Sequence, residues 1–175
     1  MRWKCSIVFG LIAGAAGVGV QSVVVAAGLW VNVTESLPIG IYRVVHAPIT
    51  RGAYVLACLP EWAGKLAKER GYLWRGPCPG GVARLGKQIV AVAGDTIEVS
   101  DGGLKVNGLP IPRSAPLARD TRGRLLPVLR GRWVVPLNGV WLWAGCSARS
   151  FDSRYFGLVP LSNVIAVVEP IAGSH

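Results

Sequence analysis

Few side chains in this 175-residue chain could do chemistry on another molecule. Its two histidines are His46, at the end of an apolar run, and His175, the last residue, so a Ser-His-Asp triad has poor support. The nine carboxylates are scattered rather than paired. Cys5, Cys58, Cys78 and Cys146 form no CxxC, and no metal and no cofactor is expected. What remains is a serine and a lysine. Ser36 stands in Asn32-Val33-Thr34-Glu35-Ser36-Leu37-Pro38-Ile39-Gly40-Ile41-Tyr42, directly after a long apolar run. Lys87 stands in Leu85-Gly86-Lys87-Gln88-Ile89-Val90-Ala91-Val92-Ala93-Gly94-Asp95. Strand alternation puts it on one face with Ile89, Ala91 and Ala93. An ammonium on such a face must be neutralised or paired.

Neutralisation is what a general base requires. A free lysine, with a pKa of about 10.4, is less than about 0.1% neutral at pH 7. Lowering that pKa to about 8 disfavours the charged form by roughly 3 kcal/mol, which burial can supply. A neutral amine within hydrogen-bond reach of Ser36 would take its proton as the oxygen attacks a carbonyl. Spacing alone does not bring the two together. The residue types equally allow a plain reading, with Ser36 in a turn and Lys87 snorkelling at a strand end.

The elements that must position these residues begin with an anchor. The chain is 51% hydrophobic and only 16% charged, with a mean hydropathy of +0.44. That is too apolar for an ordinary soluble domain, where about 25% of residues are charged, and too apolar for a disordered tail. The excess sits in residues 6–31, where 18 of 26 are hydrophobic. As a helix this run extends about 39 Å, enough to cross a hydrocarbon core of about 30 Å. A cleaved signal peptide would have an apolar region of only about 7–15 residues, so a retained transmembrane helix is expected despite the small pair Ala26-Ala27. Gly10 and Gly14 form a GxxxG that would admit a neighbouring helix, although glycine is common in spanning helices. Arg2, Lys4 and the amino terminus precede the span and Glu35 follows it. This predicts a cytoplasmic segment 1–5, a transmembrane helix 6–31 and a translocated domain 32–175.

The net charge of +10 has no basic run interleaved with aromatics, so no nucleic acid is expected as a partner. The densest basic stretch, 113–132, reads as a solvated insertion that could face anionic lipid headgroups. Beyond the span the pattern is period-two or short apolar runs punctuated by Gly and Pro. It predicts strands at 41–46, 53–59, 84–93, 96–100, 104–107, 132–135, 140–144 and 164–169. Asp101-Gly102-Gly103 reads as a hairpin turn and Asn107-Gly108 as another turn. One short helix, 61–70, starts after Pro60 and stops at Gly71. The domain is thus mainly β with one short helix. Cys58 and Cys78 bracket that helix and are the disulfide candidates for an oxidising compartment. Cys5 falls at the cytoplasmic edge and Cys146 is left as a free thiol.

Taken together, these segments resemble the signal peptidase I superfamily of Ser/Lys membrane proteases, and within it the conjugative-transfer branch of TraF-type peptidases. The resemblance is carried by a single span just before the serine and by Thr34-Glu35-Ser36-Leu37-Pro38-Ile39-Gly40-Ile41-Tyr42. It continues through the lysine segment 87–95, then Ile97-Glu98-Val99 and Val106-Asn107-Gly108, and ends with Ser150-Phe151-Asp152-Ser153-Arg154-Tyr155-Phe156-Gly157. Housekeeping leader peptidases usually carry proline three residues after the serine, not two. Three departures bear on branch and substrate rather than on catalytic atoms: Ala144-Gly145-Cys146 in place of Gly-Asp-Asn, Ala93 in place of proline, and Leu158 where proline is common.

The resemblance implies a signal peptidase I-like β-rich fold with Ser36 as nucleophile and Lys87 as general base. It implies that Thr34 helps the Ser36 N–H bind the oxyanion and that Ser150 orients the lysine amine. Asp152 and Arg154 would form a structural ion pair beneath the site, and Asp95 would stabilise a turn. The implied enzyme is a single-pass inner-membrane serine peptidase with its catalytic domain in the periplasm. Its partners would be a precursor protein, membrane lipid and a conjugation apparatus. A pilin precursor is the implied substrate, and resolution of the acyl-enzyme by the substrate's own amine would make the product cyclic. Two rivals predict different behaviour. A general leader peptidase would rescue bulk preprotein processing, and a non-catalytic assembly module would tolerate loss of Ser36 and Lys87.

Overall fold

The computed structural model describes residues 28–171. In chain order these form β1 (Leu29–Asn32), β2 (Gly40–Val45), β3 (Tyr54–Ala57), α1 (Glu61–Arg70), β4 (Arg75–Cys78), β5 (Leu85–Ala91), β6 (Thr96–Ser100), β7 (Gly103–Val106) and β8 (Leu109–Pro110). They continue with β9 (Gly131–Val134), β10 (Gly139–Trp143), α2 (Ser153–Phe156), β11 (Val159–Pro160), a single 3-10 turn (Leu161–Asn163) and β12 (Val164–Pro170). Seven strands form an antiparallel sheet in the order β1-β2-β12-β3-β5-β10-β11, and four form a smaller one, β8-β7-β6-β9.

Central position explains the apolar run of β5. It lies between β3 and β10, and all seven of its residues are buried. Pairing Val55 with Lys87 and Ala57 with Leu85 puts these side chains on one face. That face belongs to the main core, where Val55, Leu85, Ile89 and Leu142 meet Ala63 and Ala67 of α1 and Phe156 of α2. A register shift follows: Leu142 pairs with Ile89 but Trp141 with Ala91, so Val90 is an extra residue on β5. Simple alternation would have kept Ala91 with Lys87 and Ile89. Instead Val90 and Ala91 pack with Trp141 against Ile97, Val99, Leu104 and Val106 of the small sheet.

The turns follow their residues. Residues 101–102 join β6 to β7, and Asn107 and Gly108 take φ of 51° and 79° between β7 and β8. Helix α1 ends at Gly71, whose φ of 69° sends its N–H back to the Lys68 carbonyl. Its buried residues Ala63, Gly64 and Ala67 are small. A Cβ on Gly64 would stand 2.6 Å from the Pro79 carbonyl, so the helix lies tight against the segment that ends in the Cys58–Cys78 disulfide.

Four expectations are corrected. Residues 29–31, predicted as the end of the spanning helix, are extended in β1 and pair with residues 41–43 of β2. Besides α1 there is a second helix, α2, started by the Asp152 side chain accepting the Arg154 N–H. Cys146 is a disulfide cysteine rather than a free thiol. The alternation around Lys87 breaks at Val90, as above. The stretch 113–132 is irregular, and Asp120 ties it down through Tyr72, Arg124 and the Arg122 N–H. Cys5, the cytoplasmic segment and residues 6–27 of the expected anchor lie outside the described residues. Among the described residues no helix is long and apolar enough to cross a membrane.

Candidate active site

Lys87 is 3% exposed, and its amine reaches two hydroxyls, Ser36 Oγ at 2.6 Å and Ser150 Oγ at 2.7 Å. The two hydroxyls are 3.4 Å apart. Fifty-one residues separate Ser36 from Lys87 and sixty-three separate Lys87 from Ser150. Burial lowers the Lys87 pKa to about 8, with Asp152 raising it and Arg154 lowering it by their charges. The geometry therefore holds a half-buried serine hydroxyl against an amine that is neutral far more often than an ordinary lysine.

Ser36 belongs to the loop between β1 and β2, and that loop is organised from within. Asn32, the buried last residue of β1, accepts the Thr34 N–H at 3.1 Å and the Thr34 hydroxyl at 2.9 Å through Oδ1. Its Nδ2 donates to the carbonyls of Thr34, Leu37 and Pro38 at 2.8, 2.9 and 3.1 Å. Tyr42 adds a second tie, its hydroxyl donating to the Pro38 carbonyl at 2.6 Å. Leu37, Tyr42, Leu56 and Val168 form a small core with Trp30. The Trp30 ring and Leu37 Cδ1 lie where a Cβ on Gly86 would stand, so glycine lets the serine loop press onto β5 beside Lys87.

The other wall comes from the segment before α2. Arg154 and Asp152 are both fully buried and paired, with Nε to Oδ1 at 2.8 Å and Nη2 to Oδ2 at 2.8 Å. Arg154 also donates to the carbonyls of Ser114, Ala115, Ala148 and Ser150. Asp152 in turn accepts the Ala144 N–H at 3.3 Å. The pair thus binds the backbone around Ser150 to β10 and to the start of the 113–132 stretch, with all its hydrogen-bonding capacity engaged.

Thr34 is exposed, and its single hydroxyl proton goes to Asn32. Asp95 lies away from the amine and accepts from Arg51, from Asn107 at 2.9 Å and from the Val92 N–H at 2.8 Å. These bonds outweigh burial and hold its carboxyl below the usual range. Cys58 and Cys78 are joined, Cα to Cα 5.4 Å, and bracket α1 in the chain. Asn32 was missed by sequence reasoning, although an Asn two residues before a Thr is a recognisable turn signal.

Beside Ser36 is a cavity of about 10 Å³ lined by Leu37, Pro38, Tyr54, Gln88, Gly145 and Cys146. It would admit little more than a methyl group. A larger groove of about 580 Å³ lies between α1 and residues 125–127 and touches none of the residues around Lys87. Among the described residues no cluster of His, Cys, Asp or Glu could hold a metal ion.

Known proteins share this arrangement of sequence. The family model described as "Signal peptidase, peptidase S26" matches residues 2–172. The chain is 40% identical over 164 residues to a plasmid transfer protein TraF of Escherichia coli, covering 92% of each chain. It is 37% identical to a conjugal transfer protein TraF of Agrobacterium tumefaciens (strain 15955), across 100% of this chain and 99% of that one. A solved signal peptidase I from Enterococcus faecalis V583 superposes with a TM-score of 0.42 at 18% identity, covering 70% of this chain and 98% of the other.

Proposed function

The chain belongs to the signal peptidase family, peptidase S26, and on that premise we propose that it is a membrane-tethered serine peptidase in which Ser36 and Lys87 carry the reaction. One observation bears most of the weight: a buried Lys87 amine 2.6 Å from Ser36 Oγ. In its neutral form the amine accepts the Ser36 proton as Oγ attacks the carbonyl carbon of the scissile bond. The Ser36 N–H, bonded to no acceptor among the described residues, donates to the oxyanion that forms. The Lys87 ammonium then passes its proton to the departing amine, the C–N bond breaks and an ester to Ser36 remains. Lys87, neutral again, takes a proton from the water that attacks this ester and returns it to Ser36 Oγ as the ester C–O bond breaks. Ser150 keeps the amine in place through both steps.

The methyl-sized cavity beside Ser36 favours a small side chain before the scissile bond. The plasmid and conjugal transfer roles in the relatives' names favour a transfer-pilus subunit as precursor over bulk preproteins. Attack on the ester by the substrate's own amine would give a cyclic product. An anchor over residues 6–27 would still extend about 33 Å and span a bilayer. A periplasmic domain from β1 onward completes the arrangement, and the Cys58–Cys78 disulfide agrees with an oxidising compartment.

The test is processing of a transfer-pilin precursor co-expressed with the full chain. Ser36→Ala and Lys87→Ala, each present at normal level in the membrane, should both abolish it. Processing that survives either change would return the chain to a non-catalytic assembly role. A mature pilin one water heavier than the cyclic form would rule out cyclisation.

A further inference from the structure

The mechanism above leaves one buried polar side chain of the site without a role. Asn32 makes five hydrogen bonds, and every partner lies between residues 34 and 38, around Ser36. A carboxamide offers two donor hydrogens and two acceptor lone pairs. Oδ1 spends both lone pairs on Thr34, and the two Nδ2 hydrogens are shared among three carbonyls. The loop runs between strands and has no sheet ladder of its own across 34–38. Its shape around Ser36 therefore depends on Asn32, with Tyr42 holding only the Pro38 end.

Two oxyanion donors are at stake, the Ser36 N–H and the Thr34 hydroxyl. The direction of the first is fixed by the peptide plane between residues 35 and 36, whose flanks Asn32 holds at the Thr34 and Leu37 carbonyls. The second already gives its one proton to Asn32 Oδ1, so it can serve an oxyanion only by turning away from that oxygen. We propose that Asn32 is a positioning residue for the peptidase reaction: its carboxamide aims the Ser36 N–H and holds the Thr34 hydroxyl in reserve until the oxyanion forms. This inference rests on the Ser/Lys reading of the site. The Asn32 carboxamide hydrogen-bonds to neither Lys87 nor Ser150, so it acts on stabilisation of the transition state and leaves the base alone.

The experiment uses the full chain in detergent micelles and a fluorogenic peptide with alanine before the scissile bond. Removing one oxyanion donor typically lowers kcat by about 10²–10³-fold. Asn32→Ala should lower kcat by about 10–100-fold with KM changed less than about threefold, a loss confined to the transition state. The pH midpoint of kcat, set by Lys87, should stay in place. Thr34→Val should lower kcat in the native background and have a smaller effect in Asn32→Ala, because the two act as a unit. If Asn32→Ala does not accumulate as folded protein, the same readouts are taken on Asn32→Ser, which can accept from Thr34 but cannot reach Leu37 or Pro38. An unchanged kcat, a fully additive Thr34→Val effect or a shifted pH midpoint would each overturn the proposal. Ser36→Ala and Lys87→Ala in the same assay separate the two levels: turnover by either sinks the Ser/Lys reading itself. Inactive controls beside a normal Asn32→Ala sink only the role of Asn32.

Discussion

Lys87 stands directly across the β3–β5 pairing from Val55, a residue with no exposed surface. The amine thus starts from the main core of the domain and reaches outward to two hydroxyls rather than inward from solvent. Burial is the cause of the depressed pKa, and the two charges that act on the amine, Asp152 and Arg154, oppose each other.

That pKa sets the pH dependence. The reaction needs the neutral amine, so kcat/KM should climb about tenfold per pH unit below about 8 and flatten above it, with one proton involved. At pH 7 about a tenth of the molecules would be competent, some two orders of magnitude more than for a free lysine. A profile from initial rates on the alanine peptide checks this, and a midpoint near 10 would contradict it.

Burial of the lysine also weakens the fold. In the unfolded chain its pKa is about 10.4, whereas in the folded one it is about 8. Between those values the unfolded state binds more protons, so stability rises with pH across the window. Below about pH 8 the penalty is complete, about 3 kcal/mol. Lys87→Met should therefore be inactive yet more stable at pH 7, with the advantage gone by about pH 10.5. Urea unfolding at the two pH values measures the difference.

Asp152 and Arg154 should tune the same amine. Asp152→Asn keeps an oxygen for capping α2 but removes the charge that raises the Lys87 pKa, leaving Arg154 to lower it further. The acidic limb of the rate profile should move to lower pH. Breaking a buried pair costs about 3–5 kcal/mol, so the variant should also unfold in less urea. An unmoved acidic limb would show that the Asp152 charge does not reach the amine.

Gly86 is expected to be intolerant of any side chain. An added Cβ meets the Trp30 ring and comes within 3.1 Å of Leu37 Cδ1, next to Ser36 in the chain. Gly86→Ala should lower kcat by at least about tenfold through displacement of the serine loop, and destabilise by about 1–3 kcal/mol as overpacking does. Gly102→Ala, in an open turn, is the control and should change neither.

Much of this architecture could be read from residue pattern, and the exceptions have physical causes. The strand at 96–100 and the turn at 107–108 were evident because alternation and positive-φ residues act locally. Strand β1 was hidden because Leu29, Trp30 and Val31 continue the apolar run before them, and period cannot separate a strand from a helix there. Helix α2 has a single turn, too short to show a period, and only Asp152 announced it. The site was less legible than the fold. Nothing in the spacing of Ser36, Lys87 and Ser150 says that they touch, since the sheet order decides it; residue chemistry singled out Ser36 and Lys87, and the expectation for Ser150 came from motif resemblance. Asn32 was passed over because it directly follows a run read as membrane-spanning.

The long separation of the site residues has a consequence for timing. Ser36 and Ser150 lie 114 residues apart, and contacts of that range form only after much of the chain has come together. Until the segment carrying Asp152 and Arg154 closes over β5, Lys87 stays wet, protonated and unable to accept a proton. If Ser36 and Lys87 carry the reaction as proposed, a partly folded chain would be inert, and hydrolytic capacity would arrive only with completion of the fold.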